Sequence, residues 1–316
     1  MIDDTLIKQL PTNATLVRNA KLRDYTTFKL GGACPALIDC PDAKSLVETA
    51  QLLHSRSIKF LVIGQGSNLL VADAGMDPVV LRYCAEEAPD IAFDGCHVRV
   101  SGNTLLDDLA RLAIGRGVGD LSFCSGIPGT VGGAIAGNAG AFGQQIGDVV
   151  ESVQLLDGGG RLHEVAGGEL GFEYRSSILK QTGAVVLDAT LKVEPSNIQT
   201  LEKERGRIME LRRTKHPDWR ATPCAGSVFR NIEPTSAAER RQAAGWFLEE
   251  AGAKDFRVGG AHLFEKHANI IIADPGASAR DVFDLTEKMI AAVWEKFGFK
   301  LEREIKLIGD FLKLTG

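Results

Sequence analysis

A candidate for binding a carboxylate lies in the motif Tyr174-Arg175-Ser176-Ser177, which stands among apolar residues. Arginine stays protonated at neutral pH, and its planar guanidinium can hold a carboxylate through two parallel hydrogen bonds. A structural salt bridge would use the same residue types. The motif alone therefore leaves both roles open.

A candidate ligand-facing hydroxyl lies in the segment Ala225-Gly226-Ser227-Val228-Phe229, where Ser227 directly follows a glycine. This position can expose the hydroxyl to a bound ligand, although an ordinary turn serine has the same pattern. The hydrolase motif Gly-x-Ser-x-Gly is absent here, because Phe229 stands where the second glycine would be. A hydrolase triad is therefore not supported.

A candidate acid lies in the alternating segment Leu301-Glu302-Arg303-Glu304-Ile305. The alternation predicts a strand with Glu302 and Glu304 on the face opposite Leu301, Arg303 and Ile305. One of these glutamates could be a buried acid, and a solvated sheet edge is the alternative. The histidines of the C-terminal part are too dispersed to form a recognisable ligand set, so no metal site is predicted.

Two glycine clusters could approach a phosphate or a flat ligand closely. The first follows a predicted strand and reads Gly64-Gln65-Gly66-Ser67-Asn68. Backbone N–H groups in such a turn can converge on an anion. The turn lacks the third glycine of the dinucleotide fingerprint and the Lys-Ser/Thr of a P-loop, so an ordinary turn remains an alternative.

The second glycine cluster is longer and consists almost entirely of small residues. It contains Ser125-Gly126-Ile127-Pro128-Gly129-Thr130-Val131-Gly132-Gly133-Ala134 and then Gly137-Asn138-Ala139-Gly140-Ala141. Such a surface suits a flat ligand or its diphosphate, although a tightly packed loop between domains would look similar. Two clusters in one chain favour a large phosphorylated cofactor over a single small anion.

The elements that must position these residues alternate between helices and strands. Hydrophobic periodicity predicts helices over residues 41–56, 104–114 and 280–297. Helices are also predicted over residues 237–251 and over the charged stretch 198–211. Apolar runs predict strands over residues 59–63, 79–81, 98–100, 149–156, 162–165, 185–193 and 270–272. We therefore expect an α+β part up to about residue 200, followed by a smaller α/β domain.

Composition sets the class of protein. The chain has 316 residues, 44% hydrophobic and 24% charged, which excludes a wholly disordered chain. The net charge of −5 gives no basic excess for nucleic acid or an anionic membrane. No signal peptide or membrane-spanning segment is predicted. The six scattered cysteines show no C-x-x-C spacing, as expected for reduced thiols in a cytoplasmic protein.

Taken in order, these motifs resemble the UDP-N-acetylenolpyruvoylglucosamine reductase family, also called UDP-N-acetylmuramate dehydrogenases. The resemblance runs from Tyr25-Thr26-Thr27-Phe28-Lys29-Leu30-Gly31-Gly32 to Glu304-Ile305 and includes Lys266-His267-Ala268-Asn269. It implies an FAD-binding fold of the vanillyl-alcohol-oxidase (PCMH) type in two subdomains, residues 1–95 and 96–200. A C-terminal substrate-binding domain, residues 201–316, would follow. The spacing fits the shorter type of the family.

The resemblance also implies roles for particular residues. Arg175, Ser227 and Glu304 would be catalytic. Tyr174, Arg230 and Asn231 would contact the substrate. FAD would contact Gly64, Gln65, Gly66, Ser67, Asn68, Leu69, Ser125, Gly126, Ile127, Gly129, Thr130, Gly132, Gly133, Asn138 and Gly140.

The implied reaction reduces UDP-N-acetylglucosamine enolpyruvate to UDP-N-acetylmuramate for peptidoglycan. NADPH would reduce FAD, and hydride would then reach C3 of the enolpyruvyl group. Arg175, assisted by Glu304, would offset the charge on the carboxylate, and Ser227 would protonate C2. We expect a cytoplasmic monomer that binds neither nucleic acid nor membrane.

Several positions depart from the family pattern, and two alternatives to the reductase stay open. The departures are Ala136-Gly137 before Asn138, His216-Pro217-Asp218-Trp219, Arg230, Ile232 and Phe264. One alternative is a flavin oxidase of the same fold. The other is a catalytically silent paralogue that binds a UDP-sugar.

Overall fold

The computed structural model describes residues 2–85, 89–119, 121–233 and 241–311. The helices in this part are α1 (Asp4–Ile7), α2 (Ala43–Ser55), α3 (Leu106–Gly115), α4 (Val131–Ala136), α5 (Leu179–Thr182), α6 (Ile198–Lys215), α7 (Ala244–Glu250) and α8 (Ala279–Phe297). The strands are β1 (Thr15–Arg18), β2 (Ala36–Asp39), β3 (Phe60–Ile63), β4 (Leu69–Val71), β5 (Val79–Arg82), β6 (Ile91–Asp94), β7 (His97–Ser101), β8 (Gly140–Ala141), β9 (Gln144–Gln145), β10 (Val150–Leu156), β11 (Leu162–Ala166), β12 (Val185–Lys192), β13 (Arg257–Val258), β14 (Ala261–Phe264), β15 (His267–Ala273) and β16 (Lys306–Ile308). None of these described helices is long and apolar enough to cross a lipid bilayer.

Helix α2 illustrates how the local sequence sets an element. The Asp42 side chain accepts a hydrogen bond from the N–H of Ser45, and the Ser45 hydroxyl accepts one from the N–H of Asp42. This capping box provides partners for N–H groups that the first helical turn leaves free. Leu46 and Leu53 recur at helical spacing and are fully buried in one core with β2 and β5. The helix predicted over residues 41–56 is confirmed.

The chain forms two compact units, and each gathers segments that are distant in sequence. The first consists of Met1–Asn19, Pro35–Gln65 and Pro78–Leu211. The second consists of Ala20–Cys34, Gly66–Asp77 and Arg212–Gly316. The predicted division into two FAD-binding subdomains, residues 1–95 and 96–200, and a C-terminal domain, residues 201–316, stays a prediction.

The first unit contains two larger sheets. One has the strand order β1-β2-β5-β3, in which β2, β5 and β3 are parallel and β1 is antiparallel. The other is fully antiparallel, with the order β11-β10-β12-β7-β6. Helices α3 and α4 bury Leu109 and Ile135 in one core with Val100, Val153 and Leu191 of this second sheet. That core supports the glycine-rich segment that precedes α4.

The second unit is built on the antiparallel sheet β13-β14-β15 and the parallel pair β16-β4. Helix α8 begins with a capping box formed by Ser278 and Asp281 and ends at Gly298, which has a φ of +78°. Its buried residues Leu285 and Met289 share a core with β15. The helix predicted over residues 280–297 is confirmed, including its glycine stop.

The helix predicted over residues 237–251 is wrong at residues 241–243, because α7 begins only at Ala244. The backbone of Gln242 instead exchanges two hydrogen bonds with that of Ile232. That long-range pairing competes with helix formation and is not visible in a local pattern. Residues 237–240 lie outside the described residues.

The strand predicted over residues 301–305 also differs from the structure, in which regular pairing begins only at Lys306. The N–H groups of both Glu304 and Ile305 point to the C=O of Val228, at 2.7 and 3.5 Å. Two residues opposite one partner form a bulge-like irregularity, which interrupts a ladder. The expected alternation survives in part, because Leu301 and Ile305 are buried.

Candidate functional site

Ser227 lies in a short extended segment that is hydrogen-bonded on both sides within the second unit. On one side, the N–H of Val228 donates to the C=O of Asn269 in β15 at 2.8 Å. On the other side, the N–H of Glu304 donates to the C=O of Val228 at 2.7 Å. Gly226 has a φ of +68°, a conformation that favours glycine and turns the chain just before the serine. The backbone that carries the Ser227 hydroxyl is therefore fixed from two directions.

The side chain of Asn269 adds a second pair of hydrogen bonds to the same segment. Its Oδ1 accepts from the N–H of Phe229 at 2.9 Å, and its Nδ2 donates to the C=O of Phe229 at 2.8 Å. Asn269 is 2% exposed, so these bonds lie in a region without competing water. The amide thus pairs with Phe229 as a neighbouring strand would. Asn269 holds the chain two residues after the candidate proton donor.

Glu304 is tied to the second half of the first glycine turn. The Nδ2 of Asn68 donates to the C=O of Glu304 at 3.1 Å. The N–H of Lys306 donates to the C=O of Asn68 at 2.9 Å, which begins the parallel pairing of Leu69 with Lys306. The structure therefore brings Ser227, Glu304 and Asn68 onto neighbouring hydrogen-bonded segments of one unit.

Arg230 and Asn231, predicted to contact substrate, both have partners within the protein. The guanidinium of Arg230 lies 2.9 Å from a carboxylate oxygen of Glu302, and its N–H donates to the C=O of Glu302. The Oδ1 of Asn231 accepts from the N–H of Ala244 at the start of α7. Their roles toward substrate stay predictions.

Arg175 belongs to the first unit, where it stands at the tip of a tight turn. The backbones of Glu173 and Ser176 exchange two hydrogen bonds of 3.0 and 3.1 Å, which leaves Tyr174 and Arg175 at the tip. Arg175 has a φ of +55°, which costs roughly 1–2 kcal/mol for a residue with a Cβ. The Nζ of Lys180 donates to the Arg175 C=O at 2.6 Å. The turn thus holds its arginine in a backbone conformation that few side chains adopt without support.

Within the first unit, the second glycine cluster is anchored by a charged pair. The N–H of Gly126 donates to the carboxylate of Asp107 at 2.7 Å. Arg205 of α6 binds both oxygens of the same carboxylate, at 2.6 and 3.0 Å. Burial would raise the pKa of Asp107, but the bonds from Arg205 and Gly126 outweigh it and hold this pKa below its usual range. The carboxylate therefore stays charged and fixes the loop at Gly126.

The rest of this cluster is shaped by glycines and by the cap of α4. Thr130 is the N-cap, and its hydroxyl accepts from the N–H of Gly133 at 3.3 Å. A Cβ placed on Gly64 would lie 2.6 Å from the Thr130 Oγ1, so glycine is required where the first turn packs against the cap. Gly129 has a φ of +130°, which again favours glycine.

The residues of this unit fit a phosphorylated cofactor. The hydroxyl of Ser125, which is fully buried, has no hydrogen-bond partner among the described residues. The Oε1 of Gln65 in the first turn is also buried and has no hydrogen-bond partner among the described residues. Buried polar atoms are almost always satisfied, so a bound group that supplies the partners is expected. The polar groups and the glycine surface suit FAD, and the individual FAD contacts stay predictions.

A pair of partly buried histidines lies elsewhere in the second unit. The rings of His216 and His267 have centroids 5.4 Å apart. Burial, Arg212, His267 and Lys215 lower the pKa of His216 to about 4. Burial also lowers the pKa of His267. Both imidazoles are therefore neutral at pH 7.

We expect the His216→Gln variant to lose less stability than the parent between pH 7 and pH 5. Because the folded-state pKa of His216 lies below its ordinary value of 6.5, the unfolded chain binds a proton first as the pH falls. Stability from the neutral ring is complete above pH 6.5 and declines toward the folded-state pKa. The difference between the two proteins should be on the order of 1 kcal/mol.

The measurement is urea unfolding at pH 7, 6 and 5, with the His54→Gln variant as the control. This control makes the same substitution at an exposed histidine, in the last turn of α2. A His216→Gln profile that matches the parent's would show that the histidine titrates normally.

Three residues hold the candidate site in roles that no sequence motif assigned: Asn269, Asp107 and Asn138, the last of which was predicted to contact FAD. The signal for Asn269 was present, because a polar amide stands within the apolar run Ala268-Asn269-Ile270-Ile271. A buried amide in a strand must find partners. No local pattern marks Asp107, whose partners Gly126 and Arg205 are 19 and 98 residues away.

Comparison with known proteins places this geometry in one family. Residues 217–308 match the model of the UDP-N-acetylenolpyruvoylglucosamine reductase C-terminal domain, and residues 35–166 match that of the FAD binding domain. UDP-N-acetylenolpyruvoylglucosamine reductase 2 of Symbiobacterium thermophilum is 38% identical over 294 residues, 93% of this chain and 92% of that protein. The reductase of Anoxybacillus flavithermus is 33% identical, covering 93% of this chain and 95% of that protein.

A solved structure agrees with these matches. UDP-N-acetylenolpyruvylglucosamine reductase from Thermus caldophilus superimposes with a TM-score of 0.75 at 30% identity, covering 94% of this chain and 99% of that chain. The predicted α+β fold, an FAD-binding domain followed by the C-terminal domain of this family, is confirmed. The chain therefore belongs to the UDP-N-acetylenolpyruvoylglucosamine reductase family.

Proposed function

We propose that this FAD-dependent oxidoreductase reduces UDP-N-acetylglucosamine enolpyruvate to UDP-N-acetylmuramate with Arg175, Ser227 and Glu304 as its catalytic residues and NADPH as the reductant. The observation that carries this is the hydrogen-bonded pairing of the Ser227 and Glu304 segments around Val228. It fixes a hydroxyl and a carboxylate on adjacent backbones, which suits proton delivery.

The proposed chemistry divides between a bound cofactor and the side chains. When bound and reduced by NADPH, FAD supplies hydride for C3 of the enolpyruvyl group. The Arg175 guanidinium binds the substrate carboxylate and offsets the charge that develops on it. The Ser227 hydroxyl donates a proton to C2, so one hydride and one proton saturate the double bond. Glu304 is the acid that assists the guanidinium.

The remaining assignments rest on the same family likeness. Tyr174 is a substrate contact next to Arg175, and the two side chains already touch, with the guanidinium carbon 5.3 Å from the ring centroid. Arg230 and Asn231 contact the nucleotide sugar. In doing so, Arg230 gives up its ion pair with Glu302, and Asn231 gives up its hydrogen bond from the N–H of Ala244. A monomeric state, a cytoplasmic location and the absence of nucleic-acid or membrane binding are part of the proposal.

The test is an anaerobic absorption experiment on the purified protein. We expect an oxidised flavin spectrum, bleaching by NADPH, and recovery of the spectrum when UDP-N-acetylglucosamine enolpyruvate is added. UDP-N-acetylglucosamine, which lacks the enolpyruvyl group, is the control and should not restore the spectrum. Rapid recovery with air alone and none with the enolpyruvyl compound would instead identify an oxidase. Tight binding of the compound without recovery would identify a silent paralogue.

A further inference from the structure

Asn138 lies just after α4 in the first unit and is completely buried. Its backbone has a φ of +44°, which asparagine tolerates better than most residues. The family resemblance places it among the residues predicted to contact FAD. Its side chain, however, bonds other groups of the protein.

Both atoms of the Asn138 amide have partners within the protein. The Nδ2 donates to the C=O of Glu173 at 2.8 Å and to the Oε1 of Gln145 at 3.0 Å. The Oδ1 accepts from the N–H of Gly147 at 3.0 Å. An amide nitrogen has only two protons, so the donor capacity of this side chain is complete. A cofactor atom could accept a hydrogen bond from the Asn138 Nδ2 only by displacing one of these partners.

The Glu173 bond is important because Glu173 is the residue at which the Arg175 turn closes. Its N–H and C=O both pair with Ser176, and its C=O accepts from Asn138 as well. A second link joins the same two stretches of chain, since the hydroxyl of Ser177 donates to the C=O of Ala136 at 2.9 Å. The end of α4 therefore holds the arginine turn just before its tip and just after it.

We propose that Asn138 is a positioning residue for Arg175, acting through the C=O of Glu173, and not a side-chain ligand of the cofactor. The inference rests on the proposed function, because it uses the role given there to Arg175. Arg175 has a positive φ, and an arginine in that conformation needs a turn fixed from outside. A guanidinium must meet a carboxylate in a defined plane to form two hydrogen bonds. A shift of about 1 Å in such a group can cost roughly 100-fold in rate.

Two variants of Asn138 test the proposal in complementary ways. Asn138→Asp keeps the acceptor for Gly147 but places an oxygen against the Glu173 carbonyl. Asn138→Gly removes the side chain and tolerates the positive φ. Gln145→Ala is the matched control, because it removes one partner of Asn138 and leaves the bond to Glu173 in place.

Four quantities are measured for each variant: the melting temperature, the Kd for FAD, the rate of flavin reduction by NADPH, and the rate of reoxidation by the enolpyruvyl substrate. We expect the last rate to fall about 10- to 100-fold in both Asn138 variants. The Kd for FAD and the NADPH step should change by less than about threefold, and Gln145→Ala should resemble the parent.

Each Asn138 variant is also combined with Arg175→Ala. If Asn138 acts through Arg175, its replacement has little further effect on reoxidation in that background. An undiminished effect there would overturn the proposal, as would a loss confined to FAD affinity. Failure of both Asn138 variants to fold while Gln145→Ala folds would overturn it too. Parental activity in Arg175→Ala alone would instead contradict the catalytic role of Arg175.

Discussion

The Ser227→Ala variant should reoxidise its reduced flavin with the enolpyruvyl substrate about 10²- to 10⁴-fold more slowly than the parent. The substitution removes only the hydroxyl, and the segment around it is held by backbone bonds from Val228 to Asn269 and from Glu304 to Val228. The alanine backbone therefore keeps its position. The expected loss reflects the missing proton donor and not a rearranged site.

Stopped-flow absorbance separates the two halves of the reaction for this variant. Reduction by NADPH should proceed at the parental rate, because Ser227 has no role in that step. Only the reoxidation of the flavin by the enolpyruvyl substrate should become slower. The Ser55→Ala variant is the control, since the Ser55 hydroxyl is exposed and donates to the nearby C=O of Leu52. Equal slowing of both halves would indicate a general defect and argue against a proton donor at position 227.

The Ser227→Cys variant adds a readout that depends on the proton itself. A thiol is a weaker hydrogen-bond donor but a stronger acid than a hydroxyl. We expect it to recover part of the lost rate and to change the pH profile of the substrate half-reaction. A cysteine variant identical to Ser227→Ala in rate and pH profile would contradict proton transfer from this side chain.

Local patterns were sufficient for most of the helices and strands around the site. Asp42 and Gly298 mark a helix start and a helix end by their own chemistry, and both act there in the structure. The run at residues 59–63 and the glycine turn after it also lie where periodicity places them. At both helix ends the deciding interactions join residues fewer than five positions apart.

The contacts that hold the candidate site could not be predicted in the same way. Asn269 bonds Phe229 across 40 residues, and Asn68 bonds Glu304 across 236. Such pairs depend on which segments the fold brings together, and one sequence does not record this. The same reason explains the late start of the helix predicted over residues 237–251, where Ile232 pairs with Gln242.

The glycine clusters could be predicted only in part from the sequence. Their small residues correctly indicate close packing, as the contact between Gly64 and Thr130 shows. The pattern does not separate a glycine required by the protein's own backbone from one that faces a ligand. Gly66 illustrates the ambiguity, because a Cβ there would lie 2.2 Å from the C=O of Tyr25 whether or not a cofactor is bound. Side-chain geometry was needed to see that Asn138 belongs to the protein's own network.

The Arg175→Lys variant should lower the rate of the substrate half-reaction about 10²- to 10³-fold, although it keeps the positive charge. Lysine offers a point charge in place of the planar fork, so it cannot match a carboxylate with two parallel bonds. Both residues carry a Cβ, so the strain at a φ of +55° is the same in the variant and the parent. The Nζ of Lys180 donates to the backbone C=O at position 175, so the substitution retains this bond.

Rapid-mixing measurements of both half-reactions test this expectation. Arg161→Lys is the control, because Arg161 is exposed and pairs with Asp157, four positions away. Free guanidinium should partly restore the rate of Arg175→Ala and not that of Ser227→Ala, since only the first variant leaves room for it. A lysine variant that retains the parental rate would mean that charge alone suffices at this position. The turn closed by Glu173 and Ser176 would then have no need to fix the plane of its arginine.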